Sequence, residues 1–415
     1  MVINLPSKVK YIIDKLKASG FEGYAVGGCV RDSLLGKTPE DWDICTNALP
    51  EQIKTVFKNE RVIETGIKHG TVSVIIDHEP FEITTYRTEG VYSDNRRPDS
   101  VSFVGNLIED LKRRDFTVNA MAYNEDEGLV DIYNGQDDLK NKVIRCVGNP
   151  NERFLEDALR IMRAIRFSAV LGFDIEQKTK EAIFTEKNRI KNIATERINV
   201  EFMKTIMSDN PIVLYEYKDV INVFLKNALS VDKKVCQVIS ELKKDKAIRL
   251  FVLMNSLYKD EKSIDNIKSA LVGLKCDNKT IKRVLEIEDI YKKDLPENLI
   301  ECRKMVSVHD LGVVLDYVDI KKTFASVEKD EDDIKKCNIV LGFLGQIQEK
   351  KLCTKIAELD INGAHLEAMG IKEGKLIGKI LADLLLEVIE ERVCNTNKSL
   401  IDYCKKYLKG NKEND

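Results

Sequence analysis

Two aspartates one residue apart, Asp41 and Asp43, follow shortly after an apolar run that ends in Gly27-Gly28. On a strand, residues i and i+2 share a face about 6.6 Å apart along the chain, so the two carboxylates look one way and Trp42 the other. Side by side they repel unless a cation sits between them. Hard oxygen donors completed by water suit Mg²⁺; the plain alternative is a solvated acidic loop. Ala25-Val26-Gly27-Gly28 opening into Cys29-Val30-Arg31-Asp32 gathers backbone N–H groups at a helix start, a seat for phosphate. Arg31, one turn in, adds a charged donor, although an ordinary strand-to-helix turn can carry the same residues. A phosphate seat about ten residues from a metal pair points to nucleotidyl transfer by two-metal chemistry. Glu82, on a strand-like stretch, is either a third carboxylate for that site or a solvent-facing side chain.

A second constellation is Glu156-Asp157-x-x-Arg160, within a run of helical periodicity. With Asp157 at 0°, Arg160 falls at about 300° and Arg163 at about 240°, one polar arc. Leu155, Ala158, Leu159, Ile161, Met162, Ile165, Ala169 and Val170 fill roughly 40–220°, the face expected to be buried. Arg166, at about 180°, lies inside that apolar arc: it is buried against an acid or an anion, or the helix bends before it. On geometry alone, Asp157 and Arg160 make a surface ion pair worth a few tenths of a kcal/mol.

These residues need a frame, and the composition describes one. The chain has 415 residues, 66 Lys plus Arg against 69 Asp plus Glu, and a net charge of −3. Any polyanion site is therefore a local basic patch rather than a global field. Ten cysteines without a C-x-x-C pair, and only four histidines, argue against a zinc ribbon or a disulfide scaffold. Reduced thiols and a cytoplasmic location are expected. No apolar run approaches the roughly 20 residues of a membrane span, and Met1-Val2-Ile3-Asn4-Leu5-Pro6 lacks a signal-peptide pattern. Six of the eight prolines and twelve of the 22 glycines lie within the first 150 residues. There, Gly70–Ile76 and Phe81–Tyr86 alternate as strands around an Asp77–Pro80 turn. After about residue 150 the pattern is helical, without a convincing strand. Leu376, Ile377, Ile380, Leu381, Leu384, Leu385 and Val388 form a core stripe at three-four spacing. His309-Asp310 begins like an HD-type metal site, but only His365 follows, and His309 reads as an ordinary helix-region residue. The fold class is α+β, a head followed by an all-helical remainder.

The motifs resemble those of a known family. Gly27-Gly28-x-Val30-Arg31-Asp32-x-Leu34-Leu35-Gly36-Lys37, then Asp41-x-Asp43, looks like the first motif of the class II tRNA nucleotidyltransferase and bacterial poly(A) polymerase superfamily. Arg113-Arg114-Asp115-Phe116-Thr117-Val118-Asn119-Ala120 and Glu152 through Phe167 continue the likeness in order. The resemblance implies a polymerase-β-type nucleotidyltransferase head with a small mixed sheet (1–140), a neck with the base-selecting helix (141–205), a helical body (206–330) and a helical tail that binds tRNA (331–415). It implies two Mg²⁺ ions on Asp41 and Asp43 as the catalytic pair. It places Gly28, Arg31, Arg114, Arg163 and Arg166 at the nucleotide, and makes Asp157 with Arg160 a protein template for the incoming base. Chemically, a carboxylate only accepts and a guanidinium only donates. Cytosine and adenine both offer an amine beside an acceptor, whereas uracil and guanine turn a carbonyl toward the carboxylate. Arg113 is balanced between a structural salt bridge and function.

Within that superfamily, Glu64-Thr65-Gly66-Ile67-Lys68-His69-Gly70-Thr71 resembles the branch that adds CCA to tRNA from CTP and ATP, with no membrane involved. The Gly-Arg-Arg-Phe type sequence of poly(A) polymerases is missing. Residues 88–99 look like the intact loop of full CCA enzymes, with Gly90–Asp99 as the mobile element for switching from C to A. CC-only enzymes tend to have that loop shortened; A-only addition is the remaining split-function alternative. A non-catalytic RNA binder would have no need of the aspartate pair. Oligomeric state is not legible in the sequence.

Overall fold

The computed structural model describes residues 2–64, 66–89, 101–259, 263–371 and 373–412; Thr65 and the Gly90–Asp99 loop lie outside them. Turn-forming residues divide the first third into short strands: β1 (Tyr24–Val26), β2 (Ile44–Thr46), β3 (Arg61–Ile63), β4 (Thr71–Ile76), β5 (Glu79–Thr85), β6 (Arg87–Glu89), β7 (Val101–Phe103), β8 (Ala122–Asn124) and β9 (Gly128–Val130). The helices among and after them are α1 (Ser7–Ala18), α2 (Gly28–Leu34), α3 (Pro50–Val56), α4 (Leu107–Lys112), α5 (Gly135–Asn141), α6 (Pro150–Glu156), α7 (Leu159–Leu171), α8 (Gln177–Glu186) and α9 (Thr195–Ile206).

A seven-stranded sheet runs in the order β3-β4-β5-β2-β1-β8-β9. It is mixed as expected: β2 is parallel to β5, and the other neighbours are antiparallel. The expected hairpin joins β4 to β5 through Asp77 and His78, whose φ values of 47° and 69° make the two-residue reversal that suits strand twist. Because β1 and β2 are antiparallel, the end of β1 and the beginning of β2 emerge at one edge of the sheet. This topology carries Gly27 and Asp43 to the same place. Beneath them Tyr24, Val26, Cys45, Tyr86, Leu107, Leu111 and Ala122 form a buried cluster that fixes α4 to the sheet.

The chain forms two compact units, Met1–Val231 with Gly273–Lys275, and Asp232–Val272 with Cys276–Asp415. In the first, a short strand does occur beyond residue 150: Asp174–Ile175 pairs in parallel with Val143–Ile144. Two residues are too few for alternation to register in the sequence. The second unit is helical throughout its described residues. Its helices start behind Asp and Asn caps, with Asp232, Asp245, Asp277, Asn298 and Asp330 accepting from first-turn N–H groups. The predicted stripe lies on the helix Gly374–Ile389, where Ile380, Leu381, Leu384, Leu385 and Val388 are buried. Leu376, in its first turn, is exposed instead. Arg303, 4% exposed, donates to the carbonyls of Val388 and Ile389 at the end of that helix and to Cys353. His309 is buried beside Lys293. No helix among the described residues is long and apolar enough to cross a membrane.

Candidate active site

Gly27 leaves β1 with φ of 83°, a conformation that glycine adopts at little cost, and becomes the N-cap of α2. A side chain there would also be crowded: a Cβ would stand 3.0 Å from Arg114 Nη1. The Arg114 guanidinium thus lies against the turn. Arg31 lies against it too, with Nη2 3.7 Å from the Cβ position of Gly28. Asp43 is tied in through its backbone, its carbonyl accepting the Val26 N–H at 3.0 Å.

Asp41 and Asp43 are both exposed and Trp42 is half-buried, so the alternation expected of an extended segment holds. The segment is nevertheless not on a strand. The ladder begins at Ile44, one residue later. The parallel register Ile44↔Ile83 brings Glu82, the residue before Ile83, alongside Asp43. The Asp43 carboxyl is raised above the usual carboxylate range, first by desolvation, then by the charge of Glu82, with Asp41 adding to it and Arg114 opposing. Crowded hard oxygen donors of this kind fit a divalent cation. Among the described residues there is no cluster of three or more His, Cys, Asp or Glu side chains able to hold one. Asp41, Asp43 and Glu82 are the carboxylates that the fold brings near one another here.

Arg114 and Arg113 diverge in role. Asp110, fully buried, accepts from Arg113 Nε and Nη2 at 2.9 and 2.8 Å and from Arg114 Nη2 at 3.2 Å. Arg113 buttresses α4, whereas Arg114 reaches the turn. Asp115 accepts from Arg163 Nε at 2.7 Å and lies 2.6 Å from its Nη2. Desolvation pushes the Asp115 carboxyl up, but Arg163 and its hydrogen bonds dominate and hold it at about 2. Because the folded value is depressed, the stabilisation is present above the ordinary value of 3.8 and is lost as pH falls toward about 2. This linkage is worth about 2 kcal/mol. Thermal melts should accordingly separate the unsubstituted chain from Asp115→Asn at pH 7, with the gap closing below pH 4. A gap constant over that range would remove the ion pair as its cause.

The base-selecting region departs from the sequence expectation. Asp157, Arg160 and Arg163 do not share one helix: Asp157 is extended, with φ of −140° and ψ of 105°, between α6 and α7. Aspartate competes with helical backbone and favours starts. Here its Oδ1 accepts the Leu159 N–H at 2.9 Å, so it caps α7. Its Oδ2 accepts from Arg197 Nη2 on α9 at 2.9 Å. Arg160, 7% exposed, bonds Glu156 at 2.5 Å and the Arg113 carbonyl at 3.0 Å. The surface pair Asp157–Arg160 is therefore replaced by two separate pairs. The break also resets the helical phase between α6 and α7, which leaves Leu155 on α6 exposed; Val170, at the margin of the apolar arc near the end of α7, is exposed as well.

Arg166 takes the first of the alternatives open to it. Helix α7 continues through it, and its Nε lies 2.6 Å from Glu201 on α9. Its guanidinium carbon stands 3.9 Å from the centre of the Phe167 ring, with those of Arg31 and Arg163 at 5.2 and 5.4 Å. Arg31, Arg163 and Arg166 thus share one aromatic platform, while Asp157 and Arg160 sit at the α6–α7 joint. Arg197 and Glu201 escaped the sequence reading. Their signal was two opposite charges four residues apart on a helix whose Ile198, Phe202 and Ile206 are buried.

This arrangement has close counterparts. A family model described as "Poly A polymerase head domain" matches residues 23–145, "Probable RNA and SrmB- binding site of polymerase A" matches 172–217, and a tRNA nucleotidyltransferase domain 2 model matches 243–404. The CCA-adding enzyme of Ligilactobacillus salivarius is 35% identical over 432 aligned positions, covering 98% of this chain and 99% of that protein. That of Leuconostoc mesenteroides is 36% identical, covering 96% and 95%. The crystal structure of the Bacillus stearothermophilus CCA-adding enzyme in complex with CTP superposes with a TM-score of 0.77 at 27% identity, covering 98% of both chains. Likeness of this extent, with the carboxylate pair and glycine turn together in the head, places the chain in the CCA-adding enzyme family of nucleotidyltransferases.

Proposed function

We propose that this chain completes the 3′ end of tRNA with two cytidines and an adenosine, drawing on CTP and ATP without a nucleic-acid template and releasing pyrophosphate. The carrying observation is that one compact unit joins Asp41 and Asp43 to the Gly27-Gly28 turn, with Arg31 and Arg114 lying against it. The turn and the two arginines receive the triphosphate. Nucleotidyltransferases of this family use a divalent metal, which we assign as two Mg²⁺ ions held by Asp41 and Asp43. When bound there, the metal neutralises phosphate charge and lowers the pKa of the attacking 3′-hydroxyl. Arg163 and Arg166, braced on Phe167, complete the positive wall beside the nucleotide.

Base choice falls to Asp157 and Arg160. A carboxylate offers about four acceptor positions. The Leu159 N–H and Arg197 fill two of these. Asp157 can therefore accept the exocyclic amine of cytosine or adenine and keep both its protein partners. A carbonyl at that place meets a carboxylate and is repelled. We keep the division into head (1–140), neck (141–205), body (206–330) and tail (331–415), the last two holding tRNA by shape and phosphate contacts. We place the enzyme in the cytoplasm, a location consistent with ten unpaired cysteines.

The test offers tRNA ending at the discriminator base, at C or at CC, with CTP or ATP supplied singly. Two C additions, then one A on the CC end only, support the proposal. Addition of A alone at every attempt would make this a split-function enzyme, and an unlimited A tail would make it a poly(A) polymerase.

A further inference from the structure

We infer that Asn119 is a positioning residue for nucleotide binding: its amide aims Arg31 by joining that cation to the Asp115–Arg163 pair. The inference rests on the reading of Arg31 as a triphosphate ligand given above. Asn119 is 7% exposed, in the helical turn Thr117–Asn119. Its backbone carbonyl stands 3.8 Å from the Cβ position of Gly27, so it adjoins the glycine turn. Its side-chain Oδ1 accepts from Arg31 Nη1 at 2.7 Å, and its Nδ2 donates to Asp115 Oδ1 at 3.2 Å. The other Asp115 oxygen receives Arg163. Asp32 takes Arg31 Nε and Nη2 at 2.9 Å each. The Arg31 guanidinium, which has five N–H donors, is therefore held at all three nitrogens. Its two remaining N–H groups point where this clamp sets them.

The residue type follows from the charges it joins. Only a side chain with an acceptor at one end and a donor at the other fits between a cation and an anion. A carboxylate would oppose Asp115, an amine would oppose Arg31, and a hydrocarbon would serve neither. Asn119 touches Arg31 on α2 and Asp115 on its own segment; through them it is linked to Asp32 on α2 and to Arg163 on α7, which lies 3.9 Å from Glu201 on α9. Asp138 on α5 lies close too, accepting the Thr117 hydroxyl at 2.6 Å.

In Asn119→Asp, the protonated carboxyl has the same donor and acceptor ends as the amide, whereas the ionised form faces Asp115 with like charge. Steady-state incorporation of CTP into tRNA ending at the discriminator base, and of ATP into tRNA ending in CC, is measured with the full chain. Asn119→Leu should raise KM for both nucleotides about tenfold or more, with kcat within about twofold. For Asn119→Asp, whose carboxylate opposes Asp115 and has no donor to offer it, KM for both nucleotides should also rise about tenfold or more at about pH 7.5, with kcat again within about twofold. Should one variant fail to fold, the other decides. Unchanged KM, equal losses in kcat and kcat/KM, or collapse of both variants in thermal melts would each overturn the assignment. If the unsubstituted chain incorporates neither nucleotide, the functional reading itself falls, and this inference with it.

Discussion

Asn in place of Asp43 should abolish incorporation of CTP and ATP alike, by roughly a thousandfold or more in kcat/KM. The exchange is nearly isosteric, and the backbone carbonyl of residue 43 that anchors the segment to β1 is retained. Folding should therefore persist, with an unchanged melting temperature within about 2 °C. What is removed is one of two anionic oxygen donors, at a place where Glu82 and Asp41 crowd the carboxylate and Arg114 offsets them. Loss confined to one nucleotide would mean that Asp43 serves base choice rather than the chemical step. Retained turnover with both would remove the metal assignment.

The second large effect concerns Asp157. Asp157→Asn keeps an oxygen able to cap Leu159 but removes the negative charge and adds a donor that a uracil or guanine carbonyl can accept. Misincorporation of UTP or GTP, relative to CTP and ATP, should rise about tenfold to a hundredfold, matching a discrimination of about 1–3 kcal/mol per base-edge contact. Triphosphate binding should change much less, since the turn at Gly27 lies elsewhere in the sequence and on other elements. Asp157→Ala should add a loss of about 1 kcal/mol of stability, because the cap on α7 goes as well. Competition assays with mixed nucleotides, read beside thermal melts, distinguish the two. Unaltered fidelity in both variants would refute the template role and leave Asp157 a capping residue paired to Arg197.

How far the sequence reaches into this site depends on whether each device is local. The Gly27 turn, the exposed Asp41 and Asp43 and the reversal at Asp77-His78 are set by neighbouring residues, and each was legible. The buried polar partnerships were not. Arg166 carried a visible contradiction, a charge inside an apolar arc, yet its resolution lies 35 residues on, at Glu201. Asp157 stood out as a polar position of its motif but not as a helix start. An Asp before an Ala-Leu-Arg run suits both a helix interior and a cap, and the ion pair with Arg197 that accompanies the break comes from another helix. The bridging role of Asn119 depends on three elements meeting, which no spacing within one segment encodes. In the second unit the helices were readable from periodicity, while Arg303, bonded to carbonyls 50 to 86 residues away, was not.

The most direct test of the account is anomalous scattering from crystals of the unsubstituted chain grown with Mn²⁺ in place of Mg²⁺ and a non-hydrolysable CTP analogue. Manganese peaks are expected between the Asp41 and Asp43 carboxylates and the triphosphate, with that triphosphate against the Gly27-Gly28 turn and Arg31. A bound nucleotide whose phosphates lie away from this pair, or manganese coordinated without either aspartate, would contradict it.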